Sequence, residues 1–357
     1  MAVLTKTNQV ANYLKVAIQS GRWQVGETLP AERDMIEEFG VSRGTLREAL
    51  NLLSHEGLIA RKQGSGTYVK STDTSSTIAV VGDTIRLSSP LGYWYHTLMD
   101  RLCKRIADEG YKAAMWVDTD TAADKFLTST ALFDGSNIQS TVGVLNTVYS
   151  AGVDRRLTQE GIFCVNIGAA YPIGRYCVVL DYASLNSIAA DLMTKHGYDD
   201  FAIMCDPPMP SDNSDPGSEE VSNYIFNLQK ETVGGSDDRL LKVNTKNGLI
   251  DIYDSFKKWW HGPNRSRAIF FHDDAFFDIA SRAILELGIK VPEELAIVTH
   301  ANVGRVFHFP ISVTRIGFDA SRVADESVGL LKQLIGGNEV TDPVLYIPPV
   351  IVEGNSL

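Results

Sequence analysis

The stretch from Leu29 to Leu53, LPAERDMIEEFGVSRGTLREALNLL, reads as two short helices joined by a tight turn. Pro30 stands near the start of the first helix, where its missing N–H costs little. Met35, Ile36 and Phe39 give that helix an apolar face. Gly40 ends it, because glycine enters the left-handed region cheaply. Ser42 then caps the next helix. Leu46, Ala49, Leu50 and Leu53 recur at i, i+3, i+4 and i+7 and so face inward. Arg43 and Arg47 are one helical turn apart and share a different face with Asn51. A helix with a packed back and an arginine-bearing front, held behind a glycine turn, is the helix-turn-helix arrangement that enters a DNA major groove.

Working outward, SHEGLIARKQGSGTYVK follows directly. Leu58–Lys62 and Thr67–Lys70 flank a glycine-containing turn, Gln63-Gly64-Ser65-Gly66, and form a hairpin. The hairpin is a wing whose tip can approach a phosphate or the minor groove, since glycine admits close backbone contact. Arg61 and Lys62 add positive charge beside it. Upstream, Val10, Tyr13, Leu14, Ala17 and Ile18 fall at helical spacing over Thr7–Ser20, with Gly21 as the stop. Trp23, in the loop that follows, is expected to plug the core.

Residues Val10 to Lys70 resemble the DNA-binding domain of GntR-type winged-helix regulators. The resemblance rests on Gly26-Glu27-Thr28-Leu29-Pro30-Ala31-Glu32-Arg33, on Val41-Ser42-Arg43-Gly44-Thr45-Leu46-Arg47-Glu48-Ala49-Leu50, and on Glu56-Gly57-Leu58-Ile59 with Gly64-Ser65-Gly66-Thr67. It implies that Arg33, Arg43 and Arg47 contact DNA, that Ser42 and Thr45 contact phosphate, and that Gly64 and Gly66 form the wing tip. Gly44 stands where the family often carries a larger side chain.

The 357-residue chain is long enough for two or three domains. Its net charge of −11 is unevenly spread. Residues 1–70 hold nine Lys+Arg against seven Asp+Glu, and the remainder holds 24 against 37. A slightly basic head on an acidic body fits DNA binding through a local patch. Cys103, Cys164, Cys177 and Cys205 lack C-x-x-C spacing and lie in or beside apolar runs, so buried reduced thiols in a cytoplasm are expected, with no metal site. No signal peptide or membrane span is evident in the sequence.

Lys70 to Thr77, KSTDTSST, is small and polar, and reads as a linker over 71–77. From Ile78 onward, short apolar runs alternate with amphipathic helices. The runs include Ile78–Val81, Ala113–Val117, Val142–Leu145, Ile162–Val165, Cys177–Leu180, Phe201–Cys205, Leu240–Val243, Ala268–Phe271 and Leu295–Val298. Strands apolar throughout belong to parallel sheets buried on both faces. Repeated strand–helix units mean a doubly wound α/β architecture, and about nine of them call for two lobes. Such sheets bind ligands beyond the carboxyl ends of their strands.

This body has its own resemblance. Ala268-Ile269-Phe270-Phe271-His272-Asp273-Asp274, then Ala280–Gly288, then Ile289-Lys290-Val291-Pro292-Glu293-Glu294-Leu295-Ala296-Ile297-Val298 look like the effector domain of LacI/GalR-type regulators, strongly from residue 176 onward. The resemblance implies a periplasmic-binding-protein-like fold crossed three times by the chain. The expected fold is thus an α+β winged helix-turn-helix domain over 1–70, followed by a two-lobed α/β domain over 78–357. The N-lobe is expected at about 78–179 and 312–341, and the C-lobe at about 180–311 and 342–357. The order of domains resembles the arabinose-repressor-like hybrid regulators.

Asp274, just past a buried strand, matches the family position whose carboxylate binds sugar hydroxyls, while Asp273 is the expected helix cap. The loop Ser88-Ser89-Pro90-Leu91-Gly92-Tyr93-Trp94-Tyr95-His96 is where the family places effector contacts. Ser89, Trp94 and Tyr95 are its candidates, since aromatic faces stack on sugar rings. Trp94 or Tyr95 could instead begin the next helix and pack inward. Asp118, Asn146 and Tyr149 follow the second and third strands, and Asn302 lies in the loop after Leu295–Val298. Two departures stand out. The stretch DPPMPSDNSDPGSEEVSNY lacks the arginine that the family often carries there, and Thr299-His300-Ala301-Asn302 replaces an Asp pair. No G-x-x-x-x-G-K-[ST], G-x-S-x-G or H-E-x-x-H motif is present.

These readings converge on a cytoplasmic, non-enzymatic transcription regulator that needs no cofactor. It is expected to be a homodimeric repressor of carbohydrate-utilisation genes, with double-stranded operator DNA and a small sugar-like effector as partners. The alternative is a sugar-processing or sugar-phosphate-binding α/β enzyme with a fused DNA-binding head.

Overall fold

The computed structural model describes residues 6–55, 57–62, 66–70, 76–83, 93–118, 132, 138, 141–148, 151–168, 170–207, 216–243, 250–263 and 265–357. The head begins with α1 (Lys6–Gln19), α2 (Glu32–Phe39) and α3 (Arg43–His55), followed by β1 (Ile59–Lys62) and β2 (Gly66–Val69). Gly40 takes φ 60° between α2 and α3, and its N–H returns to Ile36 O, which closes the first helix and turns the chain. The stripe read from the sequence is the buried one. Leu46, Ala49, Leu50 and Leu53 of α3 meet Val10, Leu14 and Ile18 of α1, Met35 of α2, and Leu58, Ile59 and Val69 of the wing in one core. Trp23 packs against it. Each of these large side chains taken fully out of water contributes about 1.5–3 kcal/mol. The wing pairs Ile59 with Val69 and Lys62 with Gly66, antiparallel. The segment before α2 joins its edge through Leu29 N–H to Thr67 O and Val69 N–H to Glu27 O.

The body then runs β3 (Thr77–Asp83), α4 (Tyr93–Asp108), β4 (Lys112–Asp118), β5 (Thr141–Asn146), α5 (Ala151–Gln159), β6 (Phe163–Ile167), β7 (Cys177–Leu180), α6 (Tyr182–Lys195), β8 (Ala202–Cys205), α7 (Pro216–Thr232), β9 (Leu240–Lys242), α8 (Ile250–Trp260), β10 (Ala268–Phe271), α9 (Asp274–Glu286), β11 (Ala296–His300), β12 (Thr314–Gly317), α10 (Ala320–Ile335), β13 (Val344–Ile347) and β14 (Val350–Val352). Two six-stranded sheets result, in the orders β13-β7-β6-β5-β3-β4 and β14-β12-β11-β10-β8-β9. All neighbours are parallel except β14, which runs against β12. Strands β5, β7, β8, β10 and β11 are buried along their whole length, as parallel strands covered by helices on both faces must be.

The chain crosses between the sheets three times, but later than the sequence reading placed two of the crossings. Strand β12, within the expected N-lobe segment 312–341, joins the second sheet beside β11. Strand β13, within the expected C-lobe segment 342–357, joins the first sheet beside β7. Helix α10 lies on the first sheet, where Leu331 packs against Gly143 so closely that a Cβ there would meet it at 2.9 Å. The second crossing therefore falls between β12 and α10, and the third between β13 and β14. Periodicity cannot reveal this, because a short apolar strand reads identically whichever sheet receives it.

Helix α1 is packed on two sides. While Leu14 and Ile18 build the head core, Val16 packs against the hydrophobic core of the body, and Gln19 donates to Ser76 Oγ at the threshold of β3. A cavity of about 1050 Å³ opens along this seam, with Tyr13 and Phe39 on the head side and Tyr176 and Leu334 on the body side.

Candidate nucleic-acid interface and effector cleft

Helix α3 begins with its own cap. Ser42 Oγ accepts the Thr45 N–H at 3.1 Å and lies 2.8 Å from Thr45 Oγ1, so the two hydroxyls form a polar cluster at a helix N-terminus. Exposed N–H groups and the helix dipole make such an end attractive to phosphate. Behind the apolar stripe, Arg33, Arg43 and Arg47 are exposed. The Glu32 carboxylate lies 3.3 Å from Arg47 Nε and 3.7 Å from Arg43 Nε, and so holds both guanidinium groups near one front. Arg61 on β1 donates to Asn51 Oδ1 at 3.0 Å, tying the wing to α3. Gly66 takes φ 91° at the start of β2, a conformation that glycine adopts without strain. Gly64 lies outside the described residues.

In the body, polar groups converge where the strands of the second sheet end and α6 begins. Asp273 caps α9, accepting the Ala275 N–H at 2.9 Å, as the sequence reading expected of it. Beside it, His300 Nδ1 lies 3.2 Å from His272 O. A carbonyl only accepts, so Nδ1 carries the proton and Nε2 keeps a lone pair. That Nε2 is buried, with the Asn302 side chain beside it. The Tyr182 ring stacks on His272 at 5.9 Å between centroids and meets His300 and Phe318 at 5.7 and 5.2 Å. Burial, then the neighbouring His300, holds the His272 pKa down to about 3, and burial likewise lowers that of His300. Both imidazoles are thus neutral at physiological pH. Burial, reinforced by Asp274 and Asp206, pushes the Asp273 carboxyl far above the usual carboxylate range.

Asp274 does not stand alone. Arg305, from the loop after β11, brings Nε to 2.9 Å from Asp274 Oδ2 and Nη2 to 3.6 Å from Asp278 Oδ2. Its guanidinium lies 5.5 Å from the Tyr93 ring centroid and 5.4 Å from that of Phe307. Tyr93 opens α4 on the first sheet, so this contact spans the two lobes, and the Tyr93 hydroxyl sits against Gly304. A second contact between lobes joins Tyr171 Oη to Glu220 of α7 at 2.7 Å.

Several expected site residues lie elsewhere or have other partners. Trp94 packs against the core, and it is Tyr93, one position earlier on α4, that reaches Arg305. Tyr95 is half-buried and close enough to Tyr182 to act on its hydroxyl electrostatically. Asn146 is committed to the fold: its Nδ2 donates to Val148 O and Asn166 Oδ1, and its Oδ1 accepts Val148 N–H. Asn302 Oδ1 accepts Phe318 N–H at 2.7 Å and so clamps its loop to the end of β12. Asp118 closes the edge strand β4, in register with Asp83. Ser89 and Tyr149 lie outside the described residues. Reading the sequence passed over Arg305, Tyr93, Tyr182 and His300. His300 could have been found by the rule that selected Asp274, since both stand at the carboxyl end of a buried strand.

Comparisons with known proteins agree with both halves. Residues 6–69 match the model of the bacterial regulatory proteins of the gntR family, and residues 190–357 match a periplasmic binding protein-like domain. The HTH-type transcriptional repressor NagR of Bacillus subtilis is 46% identical over 61 residues, 17% of this chain and 25% of that protein. The Uxu operon regulator of Haemophilus influenzae is 43% identical over 67 residues, 19% and 25%. The matched region thus spans about a quarter of the length of these curated relatives. Among solved structures, the Escherichia coli transcriptional repressor ascG superposes with TM-score 0.60 at 12% identity, covering 79% of this chain and 99% of that one. The transcriptional regulator CelR in complex with cellobiose gives 0.59 at 16%, covering 92% and 100%. Among the described residues no helix is long and apolar enough to cross a membrane. The chain therefore joins a GntR-family winged-helix domain, matched over residues 6–69, to a periplasmic binding protein-like domain, matched over residues 190–357.

Proposed function

We propose that this chain is an effector-controlled, sequence-specific transcription regulator, a repressor of carbohydrate-utilisation genes. The observation that carries this reading is the front of α3. Arg43 and Arg47 stand exposed behind a capped N-terminus, on a helix whose opposite face is wholly buried. The relatives that share the head are named as regulators and repressors, and neighbours that share the two-lobed fold include a regulator in complex with cellobiose, which supports a sugar-like effector. The body dimerises and sets the spacing of two heads on a pseudo-palindromic operator. Effector binding between the lobes re-angles them and changes that spacing. Coupling of ~1–3 kcal/mol changes operator affinity ~5–150-fold.

Selection of bound duplexes from a random pool, followed by fluorescence anisotropy, tests the reading. Affinity is expected to fall steeply with salt. Arg43→Ala or Arg47→Ala is expected to cost about 1–3 kcal/mol on the selected sequence. Wild-type affinity in both variants would remove this helix from the interface.

A further inference from the structure

A carboxylate stands in the middle of the surface that is to meet DNA. Glu32, the first residue of α2, places one oxygen, Oε2, 3.3 Å from Arg47 Nε and 3.7 Å from Arg43 Nε. Both contacts take the Nε edge of a guanidinium group. Among the described residues the Nη ends of Arg43 and Arg47 meet no partner. Those two Nη groups are the fork that spans O6 and N7 of a guanine. The arginine side chains are 70% and 53% exposed, so without an anchor each would have to be ordered on binding. The Glu32 side chain, at 30%, is the more sheltered partner. Arg61 is spent elsewhere, on Asn51 Oδ1 at 3.0 Å and Arg47 O at 3.5 Å. A negative charge at this front repels phosphate, which lowers affinity for any duplex. It also favours the N-terminus of α2 through the helix dipole, but that service requires no approach to α3.

We infer that Glu32 is a specificity-determining residue of the DNA interface: it holds Arg43 and Arg47 by their Nε edges so that their Nη forks face guanines close together in one half-site. The inference rests on the proposal that α3 reads DNA. Glu32 acts through the arginines and is a positioning residue. Its charge weakens binding to every sequence, while the orientation it imposes strengthens binding to one. Discrimination therefore rises although overall attraction falls.

The experiment uses the full chain, the duplex selected from the random pool, and an unrelated duplex of equal length, with anisotropy read at one fixed salt concentration. Guanines of the selected duplex are replaced singly by 7-deazaguanine, which lacks the N7 acceptor. The wild type is expected to lose about tenfold at one or two positions in each half-site. Glu32→Ala is expected to bind the selected duplex about tenfold more weakly and the unrelated duplex at least as tightly, and to lose most of its sensitivity to 7-deazaguanine. Glu32→Gln keeps an oxygen in place and should keep the preference, because both contacts use a single oxygen. Glu32→Asp keeps the charge but is one methylene short, and should lose the preference; it serves where the alanine variant does not fold. A role confined to folding would weaken both duplexes alike. Parallel loss on both duplexes, an unchanged preference in Glu32→Ala or Glu32→Asp, or a lost preference in Glu32→Gln overturns this inference and leaves α3 as the reader. So does a selected duplex in which no guanine responds to 7-deazaguanine. If the pool yields no enriched sequence, the proposed sequence-specific reading falls and this inference falls with it.

Discussion

His272→Phe is the perturbation whose effect follows most directly from the geometry. The imidazole is buried, stacked on Tyr182, edge-on to Phe270, and within 3.4 Å of Asn186 Nδ2. Its pKa is held to about 3 in the fold against 6.5 in an exposed histidine. Because the folded value is the lower one, the unfolded chain takes up the proton first. The stability involved is fully present above about pH 6.5 and is lost as the pH falls toward 3. At ~1.4 kcal/mol for each pKa unit, this one side chain removes ~2 kcal/mol of stability between pH 7 and pH 5. Phenylalanine keeps the ring contacts and cannot titrate. Urea unfolding of the full chain at pH 7 and pH 5, followed by intrinsic fluorescence, should show the wild type losing ~2 kcal/mol more than the variant over that interval. His300 stays buried in both proteins, so the difference reads chiefly the His272 imidazole. Equal losses in the two proteins would refute the claim that His272 is held neutral by its burial.

Ser42→Ala removes the α3 cap and should lower head stability by ~1 kcal/mol, read as an earlier first transition in calorimetry. The same variant should weaken DNA binding, since it also takes a hydroxyl from the helix N-terminus. Gly317→Ala would place a Cβ 2.2 Å from Ala301 O, a backbone atom with no freedom to yield. A loss above ~3 kcal/mol in the C-lobe is expected from such a backbone clash, and an unchanged melting curve would show that the loop after β11 moves freely.

What could be read from the sequence was what is local. Gly40, Ser42 and the leucine stripe of α3 act within one or two turns, so composition and spacing suffice to place them. The apolar runs that became β5, β7, β10 and β11 announced their burial in the same way. The allocation of β12 and β13 to their sheets was hidden, because it depends on partners far away in the chain. Helix phase explains Trp94, since α4 begins at Tyr93 and its first turn points that ring outward and the next inward. Asn146 illustrates a different limit: an amide at a strand end looks the same in sequence whether its hydrogen bonds are spent on Val148 and Asn166 or left for a ligand. Arg305 pairs with Asp274 across a long stretch of chain, and nothing in the intervening residues signals it.

The two-sided packing of α1 limits how this chain could be recombined. A winged helix borrowed from another regulator would fold on its own stripe, yet it would be mechanically uncoupled unless it also presented an aliphatic side chain at the position of Val16 and a donor at that of Gln19. Chimeras that keep only the reading helix, and graft it beneath this α1, retain the joint; chimeras cut at the linker discard it.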